Sequence, residues 1–141
     1  MNVVIAETKG HYDNALSVRY NVFVNEQNIS PEEEIDQYEK DAVHFVAYDE
    51  DMPIGAGRIR VIDNKVKAER ICVLASHRGK KVGQAIMAKI EDFARNNDKT
   101  SVVLNAQMRA VPFYKRIAYK VTSDEFMDAG IPHVQMVKNL V

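Results

Sequence analysis

The segment from Val82 to Asn97 constrains this chain most. Val82, Ile86, Ile90 and Phe93 recur along one face with Met87 and Ala94 beside them, the spacing of an amphipathic helix. It lies between two β-prone runs, Lys65 to Leu74 and Ser101 to Ala106. Strand, helix and strand in that order form the crossover that parallel pairing needs and that a tight hairpin cannot supply. This step is read as the crossover, so the sheet is expected to be largely antiparallel elsewhere.

Those strands are legible as short runs. Val3 to Ala6 is β-prone and is broken by Thr8-Lys9-Gly10. His44 to Tyr48, Ile54 to Ile62 and Lys65 to Leu74 form a meander separated by turn sequences at 49–53 and 63–65. Tyr119 to Thr122 and His133 to Val137 supply two last strands. Tyr12 to Val24 has Ala15, Leu16, Tyr20, Phe23 and Val24 at helical spacing, and Ser30-Pro31 followed by three glutamates predicts a capped helix start. Arg109 to Ile117 predicts a short helix that carries Pro112 in its first turn. The expected architecture is a single α/β sandwich domain over residues 1–141, with a mixed, mainly antiparallel sheet of six to seven strands flanked by helices.

Composition removes several function classes. A net charge of -1 gives no general field for nucleic acid or an anionic membrane, so anion binding must come from local donors. The one cysteine, Cys72, excludes an internal disulfide and a cysteine-based zinc site and fits a reducing, cytoplasmic setting. Glu7 falls too early for the apolar core of a signal peptide, and no window is apolar enough to span a membrane.

Local donors are concentrated after the strand that ends near Leu74. Arg78, Gly79, Lys80, Lys81, Val82, Gly83 and Gln84 carry the chain into the long helix. Free N–H groups at a helix start bind phosphate, and glycine allows close approach. The Walker pattern of a nucleotide-binding loop is absent. Arg78 to Gly83 resembles the pyrophosphate loop of the GNAT superfamily of N-acetyltransferases, with Lys81 where that family usually has its first glycine. A second stretch, Ala110 to Tyr119, resembles the later family motif in which a Phe-Tyr pair opens a short helix and Gly-Tyr closes it; here these are Phe113-Tyr114 and Ala118-Tyr119. Residues 22–27, 104–107 and 130–133 are similar to the small bacterial ElaA/YjcF-like branch.

The resemblance implies a sheet splayed between its fourth and fifth strands, acetyl-CoA as cofactor, and transfer of its acetyl group to a primary amine of a small molecule or peptide within a ternary complex. Ile71 and Val73 would offer main-chain groups to the pantetheine arm, an N–H near Ile71 or Cys72 would polarise the acetyl carbonyl, and Asn105 would reach the pantetheine amides. Phe113 and Arg116 join the cofactor-binding set. Tyr114 is the expected acid for the leaving thiolate. Glu69 is the leading base on the expectation that it shares a strand face with Ile71 and Val73 and is raised in pKa by burial; pairing with Arg58, Arg60 or Arg70 is the competing reading, and His133 is the reserve base. An acetyl-Cys72 intermediate is rejected, since nothing in the sequence lowers the thiol's pKa. Arg19, Phe23, Glu26, Gln27, Arg58 and His133 are candidates to line the acceptor pocket. Two alternatives stand beside this reading: a glucosamine-6-phosphate N-acetyltransferase, which needs Arg19, Arg58 or Arg70 to converge on a phosphate, and a non-catalytic acyl-CoA-binding sensory domain. A homodimer is allowed. Lys81 is expected in an ordinary helical conformation.

Overall fold

The computed structural model describes all 141 residues. Strands β1 (Asn2–Ile5), β2 (Val43–Asp49), β3 (Met52–Ile62), β4 (Lys65–Val73), β5 (Ser101–Gln107), β6 (Lys120–Val121), β7 (Phe126–Asp128) and β8 (Ile131–Asn139) form one sheet. Its order is β1-β2-β3-β4-β5-β8-β6, with β7 also on β8. Only β4 and β5 pair parallel, as the single crossover requires. The helices are α1 (Lys9–Arg19), α2 (Pro31–Glu34), α3 (Val82–Asn96) and α4 (Val111–Arg116).

Local chemistry accounts for the boundaries. Thr8 caps α1 by accepting a hydrogen bond from the His11 N–H at 3.1 Å. Ser30 caps α2 from the Glu33 N–H, with Pro31 in the first turn. Two expectations need correction. The first helix starts at Lys9, and beyond Arg19 it widens into a π-helical turn, Tyr20–Glu26, an irregularity that sequence periodicity does not report. The sheet has eight strands because Phe126–Asp128 pairs with β8; three residues are too few to show alternation.

The sheet buries both faces. α3 lays Ile86, Met87 and Ile90 over Phe45, Ile59, Ala68 and Leu104. On the other face α1 and the π-turn pack Ala15, Val18, Val22 and Phe23 over Val46, Ala56 and Cys72. Burying one such aliphatic side chain is worth about 1.5–3 kcal/mol.

The irregularity that shapes the site lies in β4. Ala56 pairs with Cys72 and Arg58 with Glu69, so two residues of β4, Arg70 and Ile71, stand opposite Gly57 alone. Such a bulge shifts the alternation by one, and Arg70 adopts φ 58°. A Cβ on Gly57 would lie 2.9 Å from Ile71 Cδ1 and 3.2 Å from Ile86 Cγ2, so glycine there leaves room for the bulged side chain and for α3. Glu69 therefore shares a face with its partner Arg58 and with Cys72, opposite the face on which Ile71 and Val73 pack against the α3 core. The expectation that Glu69, Ile71 and Val73 share one face is overturned, because simple alternation fails at the bulge.

A buried charge network underlies that face. Arg19 and Arg58 are both 0% exposed. Glu39 accepts from Tyr12 Oη at 2.6 Å, Arg19 Nη1 at 2.8 Å and Nη2 at 3.0 Å, and Arg58 Nη1 at 2.9 Å. Arg19 Nε donates to Glu34 at 2.7 Å, and Arg58 holds Asp36 through both Nη atoms at 2.8 and 2.9 Å. Arg70 reaches from the bulge to the Glu33 carbonyl at 2.9 Å and the Glu34 carbonyl at 3.3 Å. Charges so buried are tolerated only when paired.

Burial acts to raise the Glu39 carboxyl, but hydrogen bonds from Arg19 and Tyr12 outweigh it and hold the group at about 2. A depressed folded pKa contributes stability that is present above the unfolded value and is lost as pH falls toward about 2. Glu39→Gln should therefore cost about 3–5 kcal/mol at pH 7 by urea unfolding, and its gap from wild type should narrow steadily as pH falls from about 4.5 toward 2. A gap independent of pH would show that packing, and not charge pairing, is lost.

Candidate active site

β4 and β5 part company in mid-sheet. Their register runs from Lys65↔Ser101 to Ala68↔Leu104 and stops, although β4 continues to Val73 and β5 to Gln107. The Leu74 N–H bonds the Ile54 carbonyl at 2.8 Å, so by alternation Cys72 also directs its main chain to β3. Ile71 and Val73 face the opening, where no β5 residue takes up their groups. The separation opens a cleft of about 1310 Å³ lined on the α3 side by Val82, Gly83, Phe113 and Tyr114 and on the other by Phe23, Gln27, Glu69 and His133.

α3 begins at the edge of this cleft. Lys81 precedes it without a side-chain cap, and the first turn holds no acid. The N–H groups from Gly79 to Gln84 have no acceptor within the protein. Gly79 has φ 79°, and a Cβ at that position would meet nothing within 4 Å, which opens the loop to solvent and to an approaching anion. These amides point out of a helix start and carry its positive dipole end, an anion cradle made from main chain. The basic side chains contribute less than expected. Arg78 gives both Nη groups to Glu26, at 2.7 and 2.8 Å, and its Nε to the Val73 carbonyl at 3.0 Å. It fastens the loop to the π-turn, and its charge is already matched. Lys80 is exposed and outside the cleft lining, whereas Lys81, Gln84 and Arg116 lie on it.

The aromatic pair closes the α3 side. A Cβ on Gly83 would sit 3.2 Å from Phe113 Cζ and 3.8 Å from Val73 Cγ2, so Gly83 allows α3 to approach Phe113 as well as leaving its N–H open. Tyr114 is 7% exposed and stacks edge-on against Phe113 and Tyr119 at centroid distances of 4.9 and 5.7 Å. Its hydroxyl makes no hydrogen bond within the protein, and burial pushes its pKa up, which keeps it a proton donor. The Tyr114 carbonyl is held in turn by the Tyr119 N–H at 3.0 Å, and the Lys115 carbonyl by the Ala118 N–H at 3.1 Å. That double closure is a Schellman cap with Ala118 in the left-handed position.

The other side holds the remaining candidates. His133 is 8% exposed; its Nδ1 donates to the Ile131 carbonyl at 2.7 Å and leaves Nε2 without a partner. Alternation along β5 places Asn105 with Gln107, whose Nε2 donates to Gln27 Oε1 at 2.9 Å, and opposite Leu104 and Ala106 under α3. The Asn105 amide thus lies with His133 on the α1 side of the cleft, away from the face where Phe113 and Tyr114 sit. Glu69 is corrected further. Burial acts to raise its carboxyl, yet Arg60 and Arg58 outweigh that and hold it below the ordinary range, through contacts of 2.9, 3.2 and 2.9 Å. A base near neutral pH needs the opposite shift. Arg19 and Arg58 do not line the cleft, because the network under the sheet consumes them, and Glu26 is spent on Arg78. Phe23 and Gln27 do line it. The Cys72 thiol is pushed up to about 12 by burial, consistent with its rejection as a nucleophile. Sequence reasoning missed Gln107, Tyr38 and Lys67 on the lining; none carries a motif, and only the register across β3, β4 and β5 brings them together.

Lys81 has φ 67° and Ala118 φ 76°. Both occupy left-handed positions, so the expectation of a helical Lys81 is wrong. The residues carry strain that glycine would not, roughly 1–2 kcal/mol before the greater freedom of glycine in the unfolded chain is subtracted. Lys81→Gly and Ala118→Gly should each raise unfolding stability by about 0.5–1 kcal/mol, read by urea denaturation. Destabilisation by either would show that the native side chain compensates for its own backbone.

The comparisons with known proteins agree with this geometry. The family model for an acetyltransferase (GNAT) domain matches residues 9–140. YjcF of Bacillus subtilis, described as an uncharacterised N-acetyltransferase, is 50% identical over 140 residues, 99% of this chain and 100% of that protein. Among solved structures, a candidate N-acetyltransferase of Lactobacillus plantarum superposes with a TM-score of 0.93 at 26% identity, covering 99% of this chain and 98% of that one. ElaA of Escherichia coli gives a TM-score of 0.82 at 27% identity over 97% of each chain. With the family model spanning nearly the whole sequence, and with a split β4–β5 pair facing an uncapped helix start, this chain belongs to the GNAT acetyltransferase family, in its ElaA/YjcF-like branch, and is an acyltransferase.

Proposed function

We propose that the protein is an acetyl-CoA-dependent N-acetyltransferase acting on a primary amine by direct attack, the amine entering from the face of His133 and the cofactor from the face of α3. The row of unpartnered N–H groups from Gly79 to Gln84, beside the opening between β4 and β5, carries this reading. It fits a diphosphate: several donors converge at one helix start without a competing carboxylate in the first turn. When bound, acetyl-CoA supplies an activated thioester.

This chain's residues do the remainder. Main chain at Ile71 and Val73 aligns an extended ligand arm in the opening, and the Ile71 N–H offers a hydrogen bond to charge developing on a carbonyl oxygen there. His133 Nε2, left as a lone-pair acceptor by the Nδ1 bond to Ile131, takes the proton that the attacking amine loses. Tyr114 Oη, kept protonated by burial, gives a proton to the departing sulfur. His133 replaces Glu69 as the base because its acceptor nitrogen is free, whereas both oxygens of Glu69 are occupied by arginines. The specific glucosamine-6-phosphate reading loses the convergence of Arg19, Arg58 and Arg70 on which it was built, since Arg19 and Arg58 are buried in ion pairs and Arg70 holds α2. No helix is long and apolar enough to cross a membrane, and a cytoplasmic setting suits the free, buried thiol of Cys72.

Calorimetric titration with coenzyme A, followed by a screen for acetyl-CoA consumption against amines, tests the assignment. In the Tyr114→Phe protein, CoA affinity should stay unchanged while kcat falls ~100- to 10,000-fold. His133→Gln, which removes the acceptor nitrogen, should lower kcat with CoA affinity unchanged. Full activity in Tyr114→Phe would leave water as the proton donor, and tight CoA binding without turnover on any amine would favour a sensory domain.

A further inference from the structure

The acceptor side of the cleft sorts its charges unevenly. Its inward carboxylates are all matched by arginine. Glu34 is held by Arg19 at 2.7 Å and Arg70 at 3.2 Å, Asp36 by Arg58 at 2.8 Å and Arg70 at 3.3 Å, and Glu69 by Arg58 and Arg60, each at 2.9 Å. Glu33 and Asp128 stand exposed at the rim. Two cations on this wall keep donors free. Lys67, half-buried on the cleft wall, makes no ion pair and no hydrogen bond within the protein. Arg60 spends Nε and Nη2 on Glu69 and leaves Nη1 without a partner, while its guanidinium lies 3.8 Å above the Tyr38 ring.

These two cations are neighbours. Lys67 is the cross-strand partner of Arg60 on β3 and of Val103 on β5, which puts directly opposed Cβ atoms about 4.5–5.5 Å apart on one face. They sit where the β4–β5 pairing closes, one residue before the strands separate. Lysine stems often snorkel along apolar surface with a solvated head. Here the register sets Lys67 on the same face as Arg60, whose Nη1 is also without a partner, so the two residues can offer donors to one anion.

Resting on the acetyltransferase reading above, we propose that the acceptor amine also carries an anionic group, a carboxylate or a phosphate, held by Lys67 together with Nη1 of Arg60 at the closed end of the opening. Lys67 is a specificity residue: it orients the acceptor along β4 with its amine toward Ile71. An acceptor without the anion lacks that anchor and binds weakly.

The test measures acetyl-CoA consumption by the full chain with acceptor pairs that differ in the anion: glucosamine and glucosamine 6-phosphate, ethanolamine and phosphoethanolamine, β-alaninamide and β-alanine. Wild type should favour the anionic member of at least one pair by tenfold or more in kcat/KM, and the phosphate and carboxylate pairs tell which anion is preferred. Lys67→Met keeps the stem and removes the charge; it should raise KM for that acceptor about 10- to 100-fold with little change in kcat, while activity toward the neutral member and CoA affinity stay as in wild type. Lys67→Arg should retain most of the preference. A wild-type preference for the neutral members, an unaltered preference in Lys67→Met, or no turnover of any anionic member while CoA binds would overturn the inference. Failure of wild type to bind CoA at all would overturn the acetyltransferase reading itself.

Discussion

The structure depends on the point at which β4 and β5 stop pairing. A parallel ladder that ends in mid-sheet leaves N–H and C=O groups without partners, and such groups are costly unless something extended can bond them. The bulge at Arg70 and Ile71 marks the departure of β4, while β5 is drawn the other way by its full register with β8 from Ser101↔Asn139 to Gln107↔His133. Every candidate group for chemistry stands on the margins of that opening. Ile71 and Val73 offer main chain, Tyr114 closes one side, and His133 closes the other.

Two supports of different kinds keep the opening in shape. Beneath the acceptor side, arginines and carboxylates interlock, and Arg70 joins the bulge to the end of α2. Ion pairs this deep gain little net stability over apolar packing, but their directional bonds fix where Asp36, Glu69 and Arg60 stand. On the cofactor side the support is aromatic and steric: Phe113, Tyr114 and Tyr119 stack in series, and Gly83 lets α3 come up against Phe113. The polar side of the cleft thereby exposes selected charges, and the apolar side a dry wall with one hydroxyl.

The main-chain character of the cradle explains how the loop tolerates its departure from the family pattern. N–H groups serve an anion whatever side chain they carry, so lysine at position 81 preserves the donor and adds strain only through its φ of 67°. Arg78, which the pattern marks as a phosphate ligand, is tied to Glu26 and serves as a strut between the loop and the π-turn.

What the sequence by itself determined was the part governed by short-range rules. Apolar spacing from Val82 to Phe93 defined the crossover helix, and with it the one parallel pair; turn residues marked the meander; Ser30 and Pro31 marked a helix start; and the loop and Phe-Tyr motifs identified the family and the cofactor side. Only the tertiary structure decided the roles of the charged residues. One extra residue opposite Gly57 moved Glu69 to the face of Arg58, and a carboxylate expected to be a raised base became a depressed ion-pair partner. Arg19 and Arg58, chemically suited to a phosphate, were committed to Glu34, Asp36 and Glu39, which lie 15 to 22 positions away along the chain. Lys67 was left free for lack of any such partner. A side chain's spacing follows from the backbone period and can be read locally, whereas its charge state and availability depend on which distant groups packing brings within about 3 Å, and no local pattern encodes that.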